Sequence, residues 1–209
     1  TGMQAAGFNQ NGNYLTVQLK QHQNFGPSQI RLQVVSDKII RVQATAEQSF
    51  RNKQSLIIVP QNSKANYKVE EQGDNLIITT AAMRAVMNEA TGQITFYDLK
   101  DNVLLNEVAQ GGKTFKPFTV PDREIGVDIA KVPEAQKHGW SWRALFNSPD
   151  NEAFYGLGQH QSEELNMKGK NEDLFQYNTK VSVPFVISNK NYGILWDSYS
   201  YCRWGNPED

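Results

Sequence analysis

Apolar and polar positions alternate with a period of two along the first half of the chain. Leu15, Val17 and Leu19 alternate with Tyr14, Thr16 and Gln18. Ile30, Leu32 and Val34 alternate with Gln29, Arg31 and Gln33, and Ile40, Val42 and Ala44 with Ile39, Arg41 and Gln43. Such alternation puts one side of each segment on a core and the other in water. The Gln and Arg on the wet sides are what antiparallel sheets with one solvated face carry. Further strands are expected over residues 67–71, 76–80, 93–97 and 103–105. Ser36-Asp37-Lys38, Gln72-Gly73-Asp74-Asn75, Ala90-Thr91-Gly92 and Lys100-Asp101-Asn102 supply the turns between strands, since Gly, Asn and Asp reach the positive φ that short hairpins demand.

One segment is contested. Ala82, Met83, Val86, Met87 and Ala90 fit helical spacing, and Ala, Met and Glu favour helices. The strand reading puts Ala82, Arg84 and Val86 on one face and Met83, Ala85 and Met87 on the other. The strand is preferred, because Thr79-Thr80 leads in and Thr91-Gly92 turns the chain into another strand. Residues 162–166 predict one capped helical turn, with Ser162 as N-cap and Glu163 and Glu164 at the positive end of its dipole. Gly111-Gly112 and residues 117–133 are expected to be long loops. Closely spaced strands with such turns indicate an all-β, antiparallel sandwich or barrel.

Composition narrows the function classes. The 209 residues are expected to form one domain, long enough to bury a core without disulfide staples. Lys and Arg total 21 against 22 Asp and Glu, so a nucleic-acid partner, which needs a clustered positive field, is not expected. No apolar run reaches the ~18 residues that suggest a membrane-spanning helix. Cys202 is the single cysteine, which excludes an internal disulfide and a cysteine metal cluster. The chain opens on Thr1 and closes on Asn206-Pro207-Glu208-Asp209, which reads as a cut in a linker, so a mature or partial form is expected. Nine of the 22 aromatic residues precede residue 139 and thirteen follow it, among them all four tryptophans.

Candidate chemistry is sparse. His22, His138 and His160 show no metal-ligand spacing, so no metal or cofactor is expected. An epimerase would want histidine acting with a carboxylate as acid and base, which His138 and His160 with Glu163 or Glu164 would supply; exposed loop histidines are the preferred reading. Glycoside hydrolysis needs two carboxyls facing each other across the scissile bond. The adjacent pairs Glu163/Glu164 and Glu172/Asp173 read instead as solvated loop charge, and Asp197 as a strand-end residue tying down a turn. The stretch Phe154-Tyr155-Gly156-Leu157-Gly158-Gln159-His160-Gln161 lacks the spacing of a phosphate loop. Its glycines suit a sharp bend after an aromatic strand. Planar amides beside aromatic rings suit sugars, and an aromatic core beside a polar loop explains the same residues equally well.

Glu152-Ala153-Phe154-Tyr155-Gly156-Leu157-Gly158-Gln159 resembles the E-x-hydrophobic-Y-G-L-G-E/Q stretch in the N-terminal domain of glycoside hydrolase family 31, which contains α-glucosidases and α-xylosidases. Val183-Pro184-Phe185-Val186-Ile187-Ser188 followed by Tyr192-Gly193-Ile194-Leu195-Trp196-Asp197 resembles its P-F-hydrophobic-hydrophobic-S/T and Y-G-hydrophobic patterns. Leu174-Phe175-Gln176-Tyr177-Asn178-Thr179 lies where the family carries an aromatic-polar loop. Ile39-Ile40-Arg41-Val42 and Gly92-Gln93-Ile94-Thr95-Phe96-Tyr97-Asp98 fit as well. The resemblance covers nearly the whole chain and is greatest to xyloglucan-associated α-xylosidases.

The resemblance implies a galactose-mutarotase-like super-β-sandwich, which the family places before a catalytic (β/α)8 barrel or an inserted accessory sandwich. The family's nucleophile lies in a W-x-D-M-N/S-E signature, and Trp196-Asp197-Ser198 is not that signature. No catalytic residue is therefore expected within residues 1–209. The implied role is to pack on the barrel of the same polypeptide and to lend the loop of Gln176, Tyr177, Asn178 and Thr179 to the rim of a pocket that takes an oligosaccharide. A periplasmic or extracellular location is expected. The late aromatics predict an apolar face for the barrel to cover, with Tyr201 and Trp204 as leading candidates. The alternatives are a stand-alone carbohydrate-binding module, with Trp140, Trp142 and Trp204 as platforms, and an aldose epimerase.

Overall fold

The computed structural model describes residues 7–19, 24–51, 53–59, 65–119 and 128–205. Four strands open the chain: β1 (Phe8–Asn11), β2 (Tyr14–Gln18), β3 (Gln29–Ser36) and β4 (Ile39–Thr45), paired antiparallel in that order. β5 (Tyr67–Gln72), β6 (Asn75–Thr80), β7 (Met83–Asn88), β8 (Ile94–Asp98) and β9 (Val103–Glu107) follow as a meander. β10 (Lys113–Thr119) and β11 (His138–Ala144) form a separate ribbon, and β12 (Phe146–Asn147) completes the six-stranded sheet on β9. Between β10 and β11 lie a 3-10 turn (Ile129–Lys131) and α1 (Glu134–Lys137). No helix of the described residues is long and apolar enough to cross a membrane.

The alternation seen in the sequence is the alternation of burial. Leu15 and Val17 of β2, Ile30, Leu32 and Val34 of β3, Leu76 and Ile78 of β6, Ala85 and Met87 of β7 and Ile94 of β8 are fully buried in one cluster. The inner faces of the four- and six-stranded sheets thus close on each other as a sandwich. The contested segment is the strand β7: Ala85 and Met87 point inward, whereas Arg84 pairs outward with Asp101 at 2.8 Å and lies over the Tyr97 ring. Its register is antiparallel to both β6 and β8. Packing against both neighbours outweighs the helical preference of its residues.

The remaining strands form a second core. β13 (Phe154–Gln159), β15 (Val181–Ser188) and β16 (Tyr192–Leu195) make one antiparallel sheet, and β14 (Glu172–Leu174) pairs with β17 (Cys202–Trp204). Phe154, Leu157, Met167, Leu174 and Val186 are buried together, with Tyr192, Ile194, Trp196, Cys202 and Trp204 packed against them. A polar clasp joins this module to the sandwich. Asp197, just past β16, accepts from Arg41 of β4 at 2.9 Å, from Ser55 at 2.9 Å and from Tyr199 at 2.8 Å. It therefore ties the strand end, as expected, and reaches across to the first sheet as well.

Two local expectations need correction. Residues 162–166 form bends and no helical turn; Glu164 is drawn to Lys170 at 2.7 Å instead. Pro117, Phe118 and Thr119 are not loop but the end of β10, opposite Trp140, Gly139 and His138. Proline is tolerated there because the two-stranded ribbon offers it an edge, where no ladder N–H is required. The rest of the expected 117–133 loop lies outside the described residues up to residue 127.

Where the ribbon leaves the sandwich, one ion pair is buried. Glu107 of β9 accepts from the Ile94 backbone at 2.9 Å and from Lys113 of β10, which also donates to the Gly92 carbonyl at 3.2 Å. Burial pushes the Glu107 carboxyl up and the Lys113 ammonium down from their ordinary values, while each partner's charge opposes the shift. Removing one member strands the other, so Lys113→Met should cost about 3–5 kcal/mol of unfolding free energy. Adding Glu107→Gln keeps an acceptor for Ile94 and removes the stranded charge. Urea unfolding of the double variant should recover much of that loss.

Candidate functional site

The stretch that leads into the second module is built around an inverted leucine. Phe154 of β13 is buried and Tyr155 exposed, so strict alternation would send Leu157 outward with Tyr155. Leu157 is instead fully buried, at φ 68°. The register slips here: Gly156 faces Val186 and Gly158 faces Ser182, so Val183, Pro184 and Phe185 of β15 bulge opposite Leu157. A bulge re-aims a side chain in this way, and Pro184 fits because a bulged residue gives up its ladder hydrogen bond. The flanking glycines are required by close approach. A Cβ on Gly156 would lie 2.6 Å from the Phe185 carbonyl oxygen, and one on Gly158 would lie 2.1 Å from that of Val181. The glycines thus serve a bulge inside β13, not a bend after it.

Glu152, which opens the same stretch, is buried and satisfied by three hydroxyls. Ser188 donates to it at 2.6 Å, Tyr192 at 2.6 Å and Ser148 at 3.0 Å. It ties the start of β13 to β15 and β16. Burial, followed by the hydrogen bond to Glu152, pushes the Tyr192 phenol well above its ordinary value.

After the bulge the chain turns inward. His160 has a side chain only 6% exposed, which corrects the exposed-loop reading. Its Nε2 lies 2.6 Å from the Leu157 carbonyl and its Nδ1 2.9 Å from the Glu172 carboxylate. Glu172 also accepts from Lys180, whose ammonium is buried and donates to the Asp173 carbonyl too. Glu172 is therefore not solvated charge, and both it and Asp173 lie on the strand β14 and not on a loop, with Asp173 half-exposed. Asp173 accepts from Tyr201 at 2.6 Å and Arg203 at 3.0 Å. The Tyr201 bond, then the Arg203 bond, holds the Asp173 carboxyl below the ordinary carboxylate range. Its contribution is thus fully present above the ordinary carboxylate pKa and is lost as pH falls through the depressed one.

Between these groups runs the loop of Gln176, Tyr177, Asn178 and Thr179. It borders a cleft of about 550 Å³ lined by Asn171, Glu172, Asp173, Phe175, Tyr177 and Arg203, with Lys180 at its base. The Tyr177 ring stacks on Phe175 at 5.1 Å, and Phe175 meets Tyr201 at 6.1 Å. The Lys180 backbone donates to the Tyr177 carbonyl at 3.0 Å, closing a turn with Asn178 and Thr179 at its exposed tip. Gln176 points its amide along the loop, donating to the Lys180 carbonyl at 2.7 Å and accepting from Ser182 at 3.1 Å. Asn178 is not among the residues at positive φ, so a left-handed backbone does not account for it. The cleft thus combines aromatic faces with amide, carboxylate and guanidinium groups.

The other candidates fall elsewhere. Glu163 is exposed, and His138 is exposed on the ribbon, 3.0 Å from Glu134 and 3.2 Å from Thr119. His22 lies outside the described residues. Trp140 and Trp142 are exposed on the ribbon. Trp204 is no platform: it packs edge-on against Phe154 and Trp196 and donates to the Met167 carbonyl at 3.0 Å. Among the described residues no cluster of three His, Cys, Asp or Glu gathers as metal ligands would. Sequence reasoning missed Arg203 and Lys180 and set Asp173 aside as loop charge; the pairing of β14 with β17 that brings them together is visible only in the structure.

A distinct apolar face starts at the same loop. Val181, Val183, Phe185 and Ile187 of β15 are all exposed, with Tyr155 opposite Ile187 and Leu195 opposite Phe185. The expected face therefore exists, but it is built on β15; of its two leading candidates, Tyr201 is exposed and Trp204 is not.

Comparison with known proteins matches residues 29–204 to the model described as the glycosyl hydrolase 31 N-terminal galactose mutarotase-like domain. An α-xylosidase from Saccharolobus solfataricus is 25% identical over 176 residues, covering 84% of this chain and 23% of its own length. An uncharacterized family 31 glucosidase from Pseudescherichia vulneris is 26% identical over 178 residues, covering 81% of this chain and 32% of its own. The crystal structure of a family 31 α-xylosidase from Xanthomonas citri superposes with a TM-score of 0.81 at 35% identity, over 96% of this chain and 20% of that one. This chain thus spans about a third or less of the relatives it matches.

The Glu152 cluster yields a measurable expectation. Tyr192→Phe removes one hydrogen bond to a buried carboxylate and leaves the ring in place. Urea unfolding should show a loss of about 1.5–3 kcal/mol, the usual worth of a hydrogen bond to a charged group.

Proposed function

The chain belongs to glycoside hydrolase family 31, as its N-terminal galactose-mutarotase-like domain, and from that we propose that it serves an α-xylosidase or α-glucosidase that hydrolyses α-glycosidic bonds with retention. In this reading the domain packs its β15 face on the catalytic barrel of the same polypeptide. It lends the tip of the loop, Tyr177, Asn178 and Thr179, to the rim of the oligosaccharide pocket. Gln176 serves the loop itself, since both ends of its amide are taken up within it.

One observation carries the reading. The exposed apolar strip on β15 begins at Val181, one residue after the turn closed by Tyr177 and Lys180. A surface that seats this strip necessarily lies beside the loop tip, so docking and rim-building are one geometric act. The strip's six large side chains form a contiguous patch of the kind that marks an interaction surface. The relatives are longer enzymes of the same family, and a barrel within the same polypeptide is the partner that this supplies.

The site supports no chemistry by itself. Glu172 is neutralised by Lys180, Asp173 is held by Tyr201 and Arg203, and Glu152 is enclosed by hydroxyls. Each of these carboxyls is thus committed to partners within the fold, whereas glycoside hydrolysis needs a pair free to act on the scissile bond. The epimerase reading is disfavoured because the His160 side chain is buried.

Purified residues 1–209 should release no p-nitrophenol from α-xylosides or α-glucosides, and should self-associate at high concentration through the β15 face. Activity that copurifies with the chain would overturn the assignment of chemistry to the barrel. In the intact enzyme, Asn178→Ala should lower kcat/KM about tenfold, the worth of one lost hydrogen bond to a sugar hydroxyl, with an unchanged melting temperature. Parental kinetics for both Asn178→Ala and Tyr177→Ala would show that the loop is no part of the pocket.

A further inference from the structure

The loop tip is only as well placed as the groups that hold it, and those groups converge on one side chain. Lys180 ends the turn, yet its ammonium is directed inward and its side chain is only 8% exposed. It donates to the Glu172 carboxylate and to the Asp173 carbonyl, both on β14. The Phe175 ring lies 5.8 Å from the ammonium. Its own backbone carries both ends of the loop's internal bonding. The N–H donates to the Tyr177 carbonyl at 3.0 Å, and the carbonyl accepts from Gln176 at 2.7 Å. Ser182 closes the outer side by donating to the Phe175 carbonyl at 2.9 Å.

Stability alone gives a poor account of this arrangement. Taking an ammonium and a carboxylate out of water costs more than their attraction returns unless the geometry is very good, and apolar replacements of similar size are often as stable. What an ion pair supplies and an apolar pair does not is direction. A methionine at position 180 would fill the space without choosing between the donors and acceptors around it. The ammonium instead must meet one carboxylate oxygen and one carbonyl, which leaves the turn above it one orientation. Glu172 is in turn oriented by its strand pairing opposite Trp204.

We propose that Lys180, with Glu172 as its counter-charge, is a positioning residue that holds the Tyr177–Thr179 tip in the orientation in which it meets substrate. With its ammonium turned inward onto Glu172 and the Asp173 carbonyl, Lys180 acts through the loop. The proposal rests on the reading of the loop as part of the pocket rim and goes beyond it, since it names what sets the rim's geometry.

The test uses the intact enzyme and the double variant Glu172→Gln/Lys180→Met, which removes both charges together and so strands neither. Three readouts are taken: melting temperature, amide hydrogen exchange over residues 175–182, and the separate values of KM and kcat on a xylo- or gluco-oligosaccharide. The expected result is a melting temperature within a few degrees of the parent, exchange over 175–182 faster by about tenfold or more, and KM raised about tenfold while kcat changes little. Unchanged exchange over 175–182 overturns the proposal whatever the kinetics do. Faster exchange with parental KM supports the anchoring and instead overturns the loop's place in the pocket. Uniformly faster exchange across the module, with a large fall in melting temperature, overturns the proposal in favour of plain structural support. Should the double variant fail to fold, Glu172→Asp keeps both charges and withdraws the carboxylate by one methylene. It should loosen the same residues by a smaller factor, and unchanged exchange there overturns the proposal equally.

Discussion

The inversion at Leu157 is the constraint on which the second half of the molecule depends. A side chain of that size at positive φ is unfavourable in isolation, and it persists because full burial against Phe154, Met167, Leu174 and Val186 repays it. The Leu157 carbonyl faces the imidazole of His160, which places that ring beside Glu172, the partner of Lys180. The loop anchor thus follows a local departure from regular strand geometry, whereas Val183, Phe185 and Ile187 share the exposed side of β15 by ordinary period-two alternation.

Several buried or half-buried carboxylates of this fold sit at joints. Glu107 and Lys113 sit where the ribbon leaves the sandwich, Glu152 where β13 meets β15 and β16, and Asp197 where the second module meets β4. Hydrophobic burial is non-directional and holds two surfaces together without fixing their relative angle. Each joint instead uses charge-assisted hydrogen bonds, whose geometry is narrow. The division is visible in composition: the ten residues of the first core are all apolar, and the specific contacts lie at its margins.

The sandwich was legible because each of its strands except β12 pairs with a sequence neighbour, and period two in the sequence translates directly into one buried face. Even the 83–88 segment, where helix formers compete, could be decided from the turns that flank it. The second module was legible as a family motif and much less as physics. Its strands are short, and β13 finds β15, and β14 finds β17, across intervening chain. Leu157 breaks the alternation that would have announced its burial. Lys180 and His160 were unreadable for a further reason: a polar residue in a polar run carries no mark of burial, because its partners, Glu172 and the Leu157 carbonyl, are decided by tertiary contact. Gln176, Tyr177, Asn178 and Thr179 were singled out through the resemblance alone, and the Gln176 amide proves to be occupied within the loop. Trp204 was misplaced because aromatic density was taken to mean exposure, whereas edge-on packing with Phe154 and Trp196 consumes it.

The separation of the two cores has a consequence for how the polypeptide acquires its shape. No strand of the second module is hydrogen-bonded to a strand of the sandwich among the described residues. The sandwich sheets are chiefly hairpins between sequence neighbours, and such local contacts form early. The pair β14–β17, by contrast, waits for Trp204, near the far end of the chain. On a ribosome, where N-terminal segments fold first, the sandwich is complete while the groove beside Asp173 still lacks its second wall. The cleft between Asp173 and Arg203 is then the last part of the second core to be assembled, since its far wall is β17.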